Sequence, residues 1–228
     1  MVSPWYWLGF FAMAAGSAYF GSGAARATER RWQILYMLNF FICLIATALY
    51  LTMATGYGSY IAADGTPTVW VRYVTWGLST PLLILDLTFL GRSPMPLTAA
   101  LIGADVFMIG TGLVATLVAA PWSLLWYVIS CGAFLAIFVA LLGAYRRHAN
   151  AVYTQSGDLF NRIVGVHLFL WTLYPVVWIV SAEGFGIVGP GIEAASYTIL
   201  DVVAKVGFGL LALSTLRTLE QRGEPVPA

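Results

Sequence analysis

The stretch Tyr197-Thr-Ile-Leu-Asp-Val-Val-Ala-Lys-Val-Gly-Phe-Gly-Leu-Leu-Ala-Leu213 decides how this chain is read. It is an apolar run broken by one carboxylate, Asp201, and by Lys205, the only lysine in the sequence. An ammonium group in the middle of a bilayer is expensive, so a lysine placed there marks a functional site. Asp201 precedes it by four residues, one helical turn back on the same face, where a carboxylate reaches an amine. A lone buried lysine with its carboxylate one turn away is what a Schiff-base chromophore requires.

Composition agrees with a membrane setting for that run. Of 228 residues, 60% are hydrophobic and 9% charged, and the mean hydropathy is +0.83. A soluble domain of this size could not hide so much apolar surface, so the expected class is a polytopic all-α membrane protein. The net charge of +1 suggests no nucleic-acid partner. Cys43 and Cys131 both fall in apolar runs and read as inert core thiols, with no disulfide or metal framework. His148 reads as a surface loop residue, and His167 as a structural residue near a helix end.

A spanning helix needs roughly 20 apolar residues. Seven stretches qualify, at about 4–24, 33–57, 69–91, 96–118, 122–145, 160–182 and 191–219, with a few residues of slack at each end. The breaks between them carry turn and polar residues, the longest being Ser59–Pro67 and Arg146–Asp158. Residues 1–228 then form a single seven-helix transmembrane domain. With alternating spans, Arg26, Arg30, Arg31, Arg92, Arg146, Arg147, Arg162, Arg217 and Arg222 share one side, and the opposite loops hold no lysine or arginine. The arginine side is cytoplasmic. The N-terminus is therefore outside and the C-terminus inside, with Asp64, Glu183 and Glu193 at or near the outer face. The first run lacks the basic leader of a cleaved signal peptide and reads as the first span.

The third span carries a polar stripe. Arg72, Thr75, Trp76, Ser79, Leu83 and Asp86 recur at helical spacing and share one face. Such a face cannot point at lipid, so it lines the bundle interior. At 1.5 Å per residue it runs about 21 Å, the length of a transport path. Hydroxyls in membrane helices often bond back to helix carbonyls; with Arg72 and Asp86 on the same stripe, Thr75 and Ser79 are expected to serve the path. The sixth span places Trp171, Tyr174 and Trp178 on one face, near mid-membrane, with Pro175 expected to bend the helix. Flat aromatics there make a slot for a conjugated chain.

These segments resemble the microbial rhodopsins. The resemblance rests on Leu200-Asp-Val-Val-Ala-Lys-Val-Gly-Phe-Gly209, on Arg72-Tyr-Val-Thr-Trp-Gly-Leu-Ser-Thr-Pro-Leu-Leu-Ile-Leu-Asp86, on Leu170-Trp-Thr-Leu-Tyr-Pro-Val-Val-Trp178 and on Gly103-Ala-Asp-Val-Phe-Met-Ile-Gly-Thr-Gly112. It covers essentially the whole chain. It implies all-trans retinal on Lys205 as a protonated Schiff base, with Asp201 as counterion. It implies a pocket walled by Trp76, Trp171, Tyr174 and Trp178, with Tyr50, Thr80, Asp105 and Met108 nearby. Asp105 beside Thr80 resembles the structural pair near the retinal ring. The family sorts by three third-helix positions, here Thr75, Ser79 and Asp86. Outward proton pumps, bacteriorhodopsin among them, carry Asp, Thr and Asp; haloarchaeal chloride pumps carry Thr, Ser and Ala. The mixed Thr-Ser-Asp set looks like the cyanobacterial halorhodopsins, which are light-driven anion pumps. Asn39 and Arg31-Trp-Gln-Ile-Leu-Tyr36 also look like that branch.

Charge counting leads the same way. Lys205 and Arg72 bring two positive charges and Asp201 one negative; Thr75 does not ionise. The site is left at about +1 in a low dielectric, which is costly unless an anion enters. The expected anion site is Arg72, Thr75, Ser79 and Asp201. Light then swings the Schiff-base N–H inward, the anion follows it, and it leaves past Asp86, which is expected to stay protonated in the dark. Asn39 reads equally as a residue of this route or as an interhelical hydrogen-bonding group. Glu183 and Glu193 match the outer glutamate pair of bacteriorhodopsin; with no proton to release, they read as capping and bonding groups among the outer loops.

The expected function is therefore a light-driven inward anion pump, not an enzyme, in the plasma membrane. Chloride is the default cargo, and a larger oxyanion is conceivable in a roomy hydroxyl-lined site. Relatives suggest a homotrimer. A photosensor acting through a membrane transducer is an alternative. An outward proton pump using Asp86 as donor is another, against which the missing acceptor at position 75 argues.

Overall fold

The computed structural model describes residues 3–61 and 67–227; Asp64 lies outside the described residues. The chain forms helices α1 (Pro4–Arg26) and α2 (Arg30–Ala54), a small antiparallel hairpin pairing β1 (Tyr60–Ile61) with β2 (Pro67–Thr68), then α3 (Val71–Leu90) and α4 (Met95–Leu117). Helix α5 (Trp122–Val152), α6 (Gly157–Val180) and α7 (Pro190–Gln221) complete the bundle. Six of the seven are long and apolar enough to cross a membrane. The remaining one, α1, has 23 residues, about 34 Å at helical rise, which is spanning length. Its apolarity is diluted by tryptophan, tyrosine, serine and glycine, and the small residues among them let it pack closely on α2. Each helix packs on the next, and α7 returns to α1, closing the ring.

Prolines open α1, α4 and α7, where a missing N–H costs nothing and the fixed φ suits the first turn. Pro81 and Pro175 lie inside α3 and α6. Each leaves the carbonyl four residues earlier, on Gly77 and Trp171, without its helical donor. Two π-turns interrupt the long helices, Leu141–Tyr145 in α5 and Val203–Gly207 in α7. The second is centred on Lys205; such turns occur chiefly at functional sites.

Burial is uneven. In its most apolar window α3 is 61% buried and α5 only 11%, so α3 is the central element and α5 a lipid-facing one. Phe11, Phe107, Val128, Leu135, Val139 and Phe169 point outward, as expected when the solvent is hydrocarbon. The main core packs Leu83, Ile84 and Leu87 against Phe160, Ile163, Phe208 and Leu216.

Three expectations are corrected. The break at Arg146–Asp158 is mostly helix: α5 continues to Val152, and only four residues separate it from α6. Arginine and alanine favour helix whether or not they are in lipid, so polarity ended the apolar run without ending the helix. His148 is accordingly helical, its Nε2 donating to the Arg92 carbonyl at 2.8 Å. His167 is not at a helix end. It lies inside α6, 1% exposed, with its ring 4.2 Å from Trp171 and 5.2 Å from Phe208.

Candidate functional site

Lys205 is 1% exposed and paired with Asp201 through Nζ and Oδ1. Donors from three other helices converge on the same carboxylate. Oδ1 also accepts from the Tyr174 hydroxyl at 2.8 Å and the Trp76 indole at 3.3 Å, and Oδ2 accepts from the Tyr50 hydroxyl at 2.9 Å. Hydrogen bonds to a charged acceptor are the strong ones. Four donors on one carboxylate therefore fix its position beside Lys205, and α2, α3, α6 and α7 are locked in register around it.

An apolar pocket runs away from Lys205. Trp76, Thr80, Met108, Trp171, Tyr174 and Trp178 line it, each as the resemblance implied. Its far wall was not legible in the sequence: Tyr73, Gly112, Tyr127, Ser130 and Tyr197 also line it. Tyr127 stacks on Trp178 at 4.6 Å and 14°, and its hydroxyl donates to the Pro175 carbonyl at 3.0 Å. Ser130 donates to the Met108 carbonyl at 2.8 Å. Nearly all of α5 is apolar, so no periodicity revealed which face turns inward. Cys131, expected to be an inert core thiol, also lines this wall. Thr80 donates to Asp105 at 2.8 Å, the pair expected. A narrow apolar slot with flat aromatic walls, a single amine at one end and that amine's counterion fits retinal held through Lys205.

The polar stripe of α3 is buried throughout: Arg72 4%, Thr75 1%, Trp76 6%, Ser79 0%, Leu83 1% and Asp86 0% exposed. Its two hydroxyls behave differently. Thr75 Oγ1 donates to its own helix, to the Val71 carbonyl at 3.2 Å, which corrects the expectation that it serves the path directly. Ser79 Oγ has no partner among the described residues.

Arg72 corrects the charge count. Its Nη1 donates to Glu193 Oε1 at 2.6 Å, with both side chains almost fully buried, and its guanidinium lies 4.1 Å over the Tyr197 ring. Glu193 stands in the first turn of α7 and is no loop cap. It supplies the negative charge that the sequence count lacked, so Lys205, Arg72, Asp201 and Glu193 sum to zero. Arg72 Nη2 remains without a partner among the described residues. Glu183 lies in the loop after α6; burial first, and the Glu193 charge second, push its carboxyl up to about 7, against the pull of Arg72.

On the inner side, Asp86 Oδ2 accepts from Asn39 Nδ2 at 2.8 Å, and Oδ1 has no partner among the described residues. Asn39 therefore makes an interhelical bond, and its partner is Asp86 itself. Its Oδ1 rests where any side chain at position 209 would collide with it, so Gly209 lets α7 close over this pair.

The sequence matches the family model described as "Bacteriorhodopsin-like protein" over residues 1–219. It is 40% identical to a bacteriorhodopsin of Haloterrigena sp. (strain arg-4), covering 99% of this chain and 92% of that one. It is 36% identical to cruxrhodopsin-3 of Haloarcula vallismortis, over 98% and 94%. Among solved structures it resembles a cyanorhodopsin from the cyanobacterium Tolypothrix sp. NIES-4075 (TM-score 0.86, 43% identity, 92% of each chain). It also resembles a thermophilic rhodopsin from Rubrobacter xylanophilus (TM-score 0.90, 36% identity, 98% and 99%).

Proposed function

Because the chain belongs to the bacteriorhodopsin-like family of retinal proteins, we propose that it is a light-driven pump that carries a small anion, chloride first, into the cell. The family is membrane-embedded and binds retinal through a Schiff base to a lysine, here Lys205. When bound, retinal supplies a light-driven isomerisation that re-aims the Schiff-base N–H.

Threonine at position 75 carries the reading. An outward proton pump needs a carboxylate beside the Schiff base to take its proton. Asp201 is already held by four donors, and the outer glutamate Glu193 is held by Arg72. Thr75 cannot ionise at physiological pH. With no acceptor, the proton stays on the nitrogen, and a lasting N–H is a donor an anion can follow. The α3 stripe supplies the next donors. Arg72 Nη2 and Ser79 Oγ are both buried and unpartnered, seven residues or about 10 Å apart along the helix. They bracket Trp76, which marks the level of Asp201. An anion entering past Arg72 would be handed across that level to Ser79, and then pass Asn39 and Asp86. A neutral Asp86 lets it leave; an ionised one would repel it.

An outward proton pump is the second reading. It is favoured by relatives named bacteriorhodopsin, by the buried Asp86 and Glu193 and by the half-buried Glu183. Sensor function through a transducer predicts a photocycle far slower than milliseconds. As a pump the protein performs transport and no chemical conversion, and a homotrimer is the proposed assembly. Illumination of expressing cells separates the readings. Anion import alkalinises the medium passively, more so with a protonophore, and depends on which anion is supplied. Acidification abolished by the protonophore would overturn the proposal.

A further inference from the structure

At the cytoplasmic end, α1, α2 and α7 enclose a crevice of about 440 Å³ lined by Tyr19, Arg26, Glu29, Trp32, Tyr36 and Arg217. Its charge is unbalanced. Glu29 pairs with Arg31. Glu220 accepts from Arg31 Nε at 2.6 Å and from the Trp32 indole at 3.0 Å. Both nearby carboxylates are thus turned onto Arg31. Arg26 has one hydrogen bond, from Nε to the Ser22 carbonyl at 3.1 Å, and Arg217 has none among the described residues. Two guanidinium groups from different helices therefore face one crevice with no carboxylate of their own. The aromatic wall is also built: a side chain at position 23 would collide with the Tyr36 ring, so Gly23 seats that ring on α1.

We propose that this crevice is a phosphate-recognising site that takes the headgroup of an anionic phospholipid of the inner leaflet. Guanidinium forks match phosphate oxygens, and interfacial tyrosine and tryptophan rings sit at headgroup depth. Basic pockets between helices on the cytoplasmic side suit anionic headgroups. Free phosphate shares the chemistry, so the test must separate the two sources.

The retinal-loaded protein is delipidated in detergent and titrated with phosphatidylglycerol or phosphatidylcholine, and bound lipid is counted by native mass spectrometry. One phosphatidylglycerol should be held well above phosphatidylcholine. Replacing both arginines (R26Q/R217Q) should weaken it by roughly five-fold for each charge. Removing two arginines elsewhere on the same side (R146Q/R147Q) should leave it nearly unchanged, and the visible absorption band reports that each variant is folded. Displacement of the lipid by millimolar inorganic phosphate would assign the same site to free phosphate; no displacement assigns it to lipid. Equal retention of the two lipids by the unaltered protein, or equal loss in both double variants, overturns the proposal.

Discussion

Glu193→Gln tests the corrected charge balance most directly. Glu183 could take over the pairing with Arg72, so the substitution is made in a Glu183→Gln background and compared with that single variant. The outer half then gains one uncompensated positive charge, on Arg72, whose Nη1 now bonds Glu193 at 2.6 Å. Glu193 and Asp201 lie eight residues apart on α7, about 12 Å along the axis. At that distance, and at an effective dielectric constant of about 20, one unit charge changes the energy of an anion beside Lys205 by about 1.4 kcal/mol. That is a ten-fold tighter affinity. The assay is a chloride titration of the visible absorption band at constant ionic strength, with thermal unfolding measured alongside because breaking a buried ion pair costs about 3–5 kcal/mol. Unchanged or weaker binding by a protein that keeps its absorption band would refute the argument that Glu193 offsets the charge an anion would otherwise meet.

The Glu183 carboxyl, raised to about 7, is neutral below that pH and negative above it, so anion affinity should fall severalfold between pH 5.5 and 8.5. Glu183→Gln should flatten that profile; an unaltered pH dependence would show that another group is responsible. Thr75→Asp places a potential proton acceptor one residue before Trp76, which bonds Asp201, and should abolish light-driven anion uptake; chloride transport at the original rate would sink the acceptor argument. Asp86→Asn keeps the charge of a neutral acid and its bond to Asn39, so transport in vesicles should stay within about three-fold, and infrared spectra of the dark state should lose a protonated carboxyl band. A loss of ten-fold or more would mean that Asp86 works as an ionised group.

The path stripe of α3 and the aromatic face of α6 were legible because helical period and burial coincide there. A polar residue in a membrane helix has nowhere else to point. The Lys205–Asp201 pair was legible for the same reason, and four-residue spacing survives the π-turn that surrounds the lysine. The far wall of the pocket was not legible: Tyr127 and Ser130 sit on α5, which is apolar nearly all round, so its inward and outward faces have the same chemistry. Glu193 was misread for a different reason. Its distance in sequence from Arg72 carries no information, and only the closure of α7 beside α3 brings the two charges together. The hydroxyl of Thr75 shows a third limit, since a helical hydroxyl can bond backward or forward with equal ease, and the sequence is silent on which.

High overall identity and a changed cargo are compatible, and the reason is the way energy is distributed. Most residues of such a bundle fill its interior or face lipid, where volume and apolarity are what matter. On the proposed reading the ion is chosen by the few polar groups of the α3 stripe, and a change at one of them suffices. An aspartate at position 75 would give the Schiff base somewhere to lose its proton. On the same reading a threonine leaves it a permanent donor, and Arg72 Nη2, Ser79 Oγ and Asp86 Oδ1 are the α3 polar atoms left without a partner among the described residues. A chain 40% identical to a bacteriorhodopsin along its length is thus free to carry the cargo proposed here.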